Sequence, residues 1–350
     1  MKFTVSIEDR KIRNLFKFPG EYIDAYIDEK RFILFAEAPD IFVAATLSIN
    51  TIQDFKQAEL FRIPKSGFFN LLDDGIISFI CDENAVYMSV KTKLSLHKMM
   101  FERQICNTIK LEDRLKILKD AAKYPQFPVN DLFMPSKILK NSPAPLTIED
   151  KIAFAELGGM HLYAKTKCDN CAIFPGVLNH LIRVCAGNFD HVYNVKNCIV
   201  FSDGKYHVMI NKVNSHFGSD IGYIMRQKSI YEVNVNFGQA IKLLKKARDY
   251  TDVDLNLRRR ELILKSGECE YSAEIALSQK NIRERELTLD DILEESHVEV
   301  PIIRFPVEIF KNIIYSVNSK SLAVVCTKNL VRISVLPGLM LVCRKESGLE

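Results

Sequence analysis

One order of elements recurs along the chain: a strand, a helix, then a meander of short strands. This recurrence limits the available folds more than any single motif does. The clearest copy is C-terminal. VEVPIIRF reads as a strand, and FPVEIFKNIIYSVN places Val307, Ile309, Phe310, Ile313, Ile314 and Val317 at helical spacing on one buried face. SLAVVCT, NLVRISV and LMLVCRK follow, separated by Ser319-Lys320, Lys328-Asn329 and Pro337-Gly338, all of them turn chemistry. The unit recurs upstream. MKFTVSIEDRKIRNLFKF leads into YIDAYID, RFILFAE and IFVAATLSI, and LFRIPKSGFFNLLDDG into IISFICD, AVYMSVK and KLSLHKMM. AIFPGVLNHLIRVCAGN reads as a helix before HVYNV, NCIVFSD and KYHVMINKV, and YEVNVNFGQAIKLLKKARDY precedes VDLNLRRRELILKSGECEYSAEIAL. A blurred sixth copy falls between Ile105 and Lys167. The spacing of roughly 45–70 residues suits one supersecondary unit per copy.

Six half-domain units in 350 residues favour three domains, with boundaries at 1–105, 106–228 and 229–350. The 47% apolar and 26% charged content is that of a globular chain. No run approaches a membrane span, and MKFTVSIEDR lacks the apolar core of a signal peptide, so a cytoplasmic location is expected. Nine cysteines, an odd number without regular spacing, suggest reduced thiols; Cys81, Cys185, Cys198, Cys269, Cys326 and Cys343 sit inside apolar patterns as small hydrophobes.

The middle of the chain is the least regular. LEDRLKILKDAAKY reads as an amphipathic helix, with Leu111, Leu115, Leu118 and Ala122 on one face. YPQFPVNDLFMPSKILKNSPAPL carries five prolines and reads as a loop with one helical turn at most. KIAFAELGGMHLYAKT reads as two strands turning at Gly158-Gly159. Asn214 to Ser229 reads as a polar linker, and RERELTLDDILEES as a charged connector.

Chemistry-bearing motifs are sparse. GxGxxG, Walker, HExxH and GxSxG patterns are absent, and the seven histidines are scattered. Cys168 and Cys171 have the spacing of half a zinc site, but no second CxxC completes it, and a polar loop is the commoner setting for a lone pair. No metal, cofactor or catalytic residue is expected. The helices do carry basic faces: Arg10, Lys11, Arg13 and Lys17; Arg114, Lys116, Lys119 and Lys123; Arg183; Lys242, Lys245, Lys246 and Arg248; and Lys311. A solvated face is the usual fate of each set alone. Lined up together, they would form a positive track that binds phosphates without reading sequence.

This order of elements resembles that of the sliding clamps, the DNA polymerase processivity factors, and the three-domain length is similar to that of the bacterial β clamp or a phage counterpart. MKFTVSIEDRKIRNLF looks like that family's opening strand and helix. RIPKSGFFNLLDDG with AVYMSVKTKLSLHKM looks like its second unit, and VEVPIIRFPVEIFKNIIYSV with SLAVVCTKNLVRISVLPGLMLVCRK like its last. The resemblance implies an α+β fold of three consecutive clamp domains, each of two β-α-β-β-β units, with helices inside and antiparallel sheets outside. It implies no enzyme. It implies a homodimeric ring around double-stranded DNA, DNA polymerase and clamp loader as partners, and the basic residues above as the DNA surface. It also implies a pocket for partner peptides, carried over to Leu157, Gly159, His161 and Leu162 in LGGMHL and to Met340 and Val342 in LMLVC. The chain departs from the family in its net charge of +4 and in Leu157-Gly158-Gly159-Met160-His161, where the family has Thr-Asp-Gly-His-Arg.

Three alternatives stay open: a monomeric DNA-binding processivity or transcription accessory factor of the same fold, an enzyme built around Cys168 and Cys171, and a structural repeat protein.

Overall fold

A computed structural model describes residues 1–17, 20–71, 75–91, 96–103, 109–140, 143, 145–157, 159–168, 171–174, 176–177, 179–180, 189, 191–212, 221–266, 269–282, 300, 302–317 and 320–344. Two compact units contain them: Met1–Val129 with His180–Lys212, and Asn130–Asn179 with Val213–Glu350.

The repeating order is realised throughout. The first copy is β1 (Lys2–Ile7), α1 (Asp9–Leu15), β2 (Tyr22–Ile27), β3 (Arg31–Ala38) and β4 (Ile41–Gln53). The second is β5 (Glu59–Pro64), α2 (Lys65–Leu71), β6 (Gly75–Cys81), β7 (Ala85–Lys91) and β8 (Leu96–Glu102). The extra helix α3 (Ile109–Asp120) precedes the third copy, β9 (Gln126–Phe127), α4 (Asn130–Ile138), β10 (Leu146–Glu149), β11 (Ile152–Leu157) and β12 (Met160–Lys165). The fourth has β13 (Cys171–Ile173), helical residues 176–177 and 179–180, then β14 (His191–Val195), β15 (Cys198–Ser202) and β16 (Tyr206–Asn211). After α5 (Ile221–Arg226), the fifth comprises β17 (Ser229–Asn236), a 3₁₀ helix (Gly238–Asp249), β18 (Asp252–Asn256), β19 (Glu261–Ser266) and β20 (Cys269–Glu274), extended by β21 (Ala276–Ile282). The last is β22 (Ile302–Pro306), α6 (Val307–Val317), β23 (Ser321–Thr327), β24 (Leu330–Leu336) and β25 (Leu339–Arg344).

In the first unit, twelve antiparallel strands form one sheet along the path β8-β7-β6-β1-β4-β16-β15-β14-β9, with β2, β3 and β5 branching from β4. Strict alternation turns Phe3, Phe32, Phe61 and Phe79 to one side, all fully buried. Phe3 stacks on Phe79 with centroids 4.9 Å apart, and Phe32 stands 5.2 Å from Phe3 and 5.0 Å from Phe79. The second unit holds a nine-stranded sheet, β13-β10-β11-β12-β25-β24-β23-β17-β21, and a four-stranded sheet, β20-β19-β18-β22. There Phe310 of α6 sits edge-on to Phe237 at 5.3 Å and 5.0 Å from Phe305.

Four expectations need correction. The Pro-rich stretch is no mere loop, because α4 runs through it with Pro135 inside. Proline at the sixth position removes only one intrahelical donor, and Asn312 Nδ2 donates to the Ile138 and Lys140 carbonyls at 3.0 Å each, capping the helix end. The expected polar linker contains α5, whose Ile224 is buried. The helix after β17 has 3₁₀ rather than α geometry and starts at Gly238 with φ +45°, its N–H held by Asn236 Oδ1 at 3.0 Å. Cys171–Ile173 pairs as a strand with β10, because Leu146, Ile148, Cys171 and Ile173 share a buried sheet edge. Most of the helix expected after it, and the connector RERELTLDDILEES, lie outside the described residues.

Candidate peptide surface and basic helix faces

Hairpin β11–β12 closes with Leu157 opposite Met160, and Gly159 in its turn has φ +87°, a conformation that suits glycine. β12 then pairs with β25: His161 faces Val342, Leu162 faces Leu341 and Tyr163 faces Met340. Directly opposed residues share a face and neighbours alternate. His161, Tyr163, Met340 and Val342 therefore stand on one side with Phe154, while Leu157 and Leu162 point to the other side with Ala155 and Ala164. The six expected pocket residues divide accordingly. His161, Met340 and Val342 come together, Gly159 forms the turn, and Leu157 and Leu162 are core.

The shared side carries an apolar cluster of Phe154, Tyr163, Ile224, Leu330 and Val342, with Ile152 and Met340 packed against it. Phe154 lies 5.3 Å from both His161 and Tyr163, centroid to centroid. Alternation along β11 and β12 points to Phe154 and Tyr163; nothing in the sequence pattern points to Ile224. Polar contacts fix α5 and the residues after it to this surface. Arg332 Nη2 donates to the Gln227 carbonyl at 3.3 Å, and Thr327 Oγ1 meets Gln227 Oε1 at 2.7 Å. Burial lowers the Arg332 pKa, and burial beside Cys326 pushes the Cys343 thiol up to about 12.

Cys168 and Cys171 are buried with sulfurs 3.9 Å apart. Among the described residues, no group of three or more His, Cys, Asp or Glu side chains stands close enough to hold a metal ion.

Within the first unit, the basic residues of α1 and α3 do not share one surface. On α1, Arg10 is exposed, as is Lys17 just beyond the helix, but Lys11 lies 3.4 Å from Glu8 and 5.2 Å over the Tyr206 ring, and Arg13 lies over Phe69. Lys205 donates to Glu8 and holds its carboxyl below the ordinary value. α3 packs Leu111, with Leu115 and Leu118, against Ile33, Phe35, Phe42 and Met209. By alternation, Met209 faces away from Tyr206, so α1 and α3 lie on opposite faces of the same sheet. Arg114 bonds to Glu37, and Lys123 to Asp120; Lys116 and Lys119 are exposed. In the second unit Lys242 and Lys245 are exposed, and Lys311 pairs with Glu308 at 3.0 Å. Arg183 lies outside the described residues, as do the side chains of Lys246 and Arg248.

Repeated β-α-β-β-β units on extended antiparallel sheets, together spanning the chain, define the sliding-clamp fold, an α+β architecture. The particular likeness is to DNA polymerase III β subunits. The DnaN sliding clamp of Bartonella birtlesii is 12% identical with a TM-score of 0.66, covering 99% of this chain and 100% of its own. The β subunit of Thermotoga maritima is 12% identical at TM-score 0.64, with 99% of each chain covered. The Helicobacter pylori β clamp, bound to a DNA ligase peptide, is 12% identical at TM-score 0.61, covering 99% of this chain and 100% of that one. No protein-family model matches the sequence, and neither does any curated protein.

Proposed function

We propose that the chain is a DNA sliding clamp: a homodimeric ring that encircles duplex DNA in the cytoplasm, tethers a DNA polymerase and is opened by a clamp loader. It acts by topology and catalyses nothing. The observation that carries this reading is the end-to-end match of one chain with whole β clamps at both 99% and 100% coverage. Three domains at 1–105, 106–228 and 229–350 follow, with the third and fourth copies forming the middle one.

Strand edges support ring closure. Among the described residues, β8 pairs only with β7 and β20 only with β19. Unpaired edges are templates for another chain, and a head-to-tail contact whose rotation closes gives a ring. In this reading Arg10, Lys17, Lys242 and Lys245 supply phosphate contacts. The half-buried His161 and Met340, beside the buried Phe154, Tyr163 and Val342, mark the place where short apolar peptides of the polymerase and loader bind; the Helicobacter pylori clamp is itself bound to a DNA ligase peptide.

The net charge of +4 favours a second reading, a monomer of the same fold that grips DNA by charge. Light scattering at micromolar concentration and moderate salt separates the two. The ring predicts twice the 40.1 kDa chain mass, and a mass near 40.1 kDa leaves the monomer.

A further inference from the structure

Cys168 and Cys171 form a motif that the clamp reading leaves unused. A polar loop is the expected setting for such a pair, yet both side chains are fully buried. The chain leaves β12 with Lys165 opposite Ile152 and skirts the β10–β11 turn, where the Thr166 N–H donates to the Lys151 carbonyl at 2.9 Å. It re-enters the sheet on the far side of β10, with Cys171 opposite Ile148. Cys168 lies on this crossover.

Separate anchors hold the two cysteines. The Lys167 N–H donates to Asp131 Oδ2 of α4 at 3.0 Å, and the Cys168 N–H to Thr166 Oγ1 at 3.0 Å. Ladder pairing with β10 holds Cys171. The sulfurs stand 3.9 Å apart, so closure to a bond of about 2.05 Å asks for side-chain movement of about 2 Å. Cys326 and Cys343 make the contrast. Val331 pairs with both, which puts them two strands apart, about 10 Å between Cα atoms and beyond the reach of a disulfide. Among the described residues, no third His, Cys, Asp or Glu completes a metal site at Cys168 and Cys171.

We infer that Cys168 and Cys171 are a reversible dithiol–disulfide site, oxidised by small-molecule disulfides of the glutathione class. One cysteine thiolate attacks the small disulfide and releases a first thiol. The other cysteine then attacks the mixed disulfide and releases the second. Two cysteine thiols and one small disulfide become one protein disulfide and two small thiols, which carry away the two protons and the two electrons. Access comes through β13, which is three residues long and, among the described residues, pairs only with β10. A short edge strand opens at low cost. Once formed, the bond ties the crossover from β12 to the outermost strand of the sheet. The site goes beyond the clamp reading and does not depend on it.

The test incubates the full natural chain in glutathione buffers of rising oxidised fraction, then quenches, unfolds, alkylates and digests it with trypsin. Cleavage after Lys167 and Arg183 puts Cys168 and Cys171 in one peptide without other cysteines. Expected is the joint loss of both alkylation sites in that peptide, a mass lower by two hydrogen atoms, and recovery of both sites with dithiothreitol. Cys326 and Cys343 keep theirs. Hydrogen exchange at residues 171–173 and at their partners 146–148 should slow by about tenfold or more in the oxidised chain. Two alkylatable thiols at every glutathione ratio, a lasting single glutathione adduct, equal oxidation of Cys326 and Cys343, or unchanged exchange would each overturn the site.

Discussion

At the residue scale, His207 shows how burial becomes pH dependence. The imidazole bonds to Ser202 at 2.8 Å, and burial lowers its pKa from the ordinary 6.5 against the opposing pull of Asp203. The unfolded chain therefore binds a proton that the folded chain resists. The stability from His207 is complete above about pH 6.5 and falls as pH drops below that value toward the lowered folded pKa. Thermal melts at pH 7.5 and 5.0 should show a smaller acid-induced drop for His207→Gln than for the natural chain. Equal drops would mean that other groups carry the acid sensitivity. Residue-level legibility was uneven. His161, Met340 and Val342 were named by resemblance, and they do share one face of the β12–β25 pair. Leu157 and Leu162, named by the same match of LGGMHL, take the other face, because matching a segment does not say which face each residue takes.

At the element scale, α4 and α3 mark what pattern could and could not show. Five prolines hid α4, since local punctuation outweighed a weak apolar period. The helix is secured from outside its own sequence, by Asn312 reaching its terminal carbonyls. Asn312→Ala should cost about 1–2 kcal/mol in urea unfolding and speed hydrogen exchange at residues 136–140. An unchanged midpoint with unchanged exchange would remove that role. For α3 the amphipathic face was plain, and Leu111, buried at 2% exposure, packs as its spacing implies. The sheet face it covers was not readable, because that depends on β4 meeting β16, a pairing distant in sequence. The four basic residues of this helix region therefore oppose, rather than extend, the basic face of α1.

At the scale of the whole molecule, the sixfold order was legible because each copy repeats its own turn chemistry and apolar period. The allocation of copies to compact units was not, since β-sheet pairing cuts across the third and fourth copies. If the chain is a ring, its hold on DNA is topological. On nicked circular duplex loaded by a cognate loader, it should remain bound through a wash at high salt, whereas on linear duplex of the same length it should be lost within the same wash. Equal loss from both substrates would argue for a charge-held monomer.

The pairing of Ala45 with Tyr206 has a consequence for synthesis. A ribosome delivers β4 long before β16, so the nascent chain carries an open strand edge through much of its translation. α3 emerges in between and can shield the apolar face of Ile33, Phe35 and Phe42, though it cannot supply the missing backbone partners. A fragment ending at Val129 would carry the same unfinished edge, with α3 covering only the apolar face beside it.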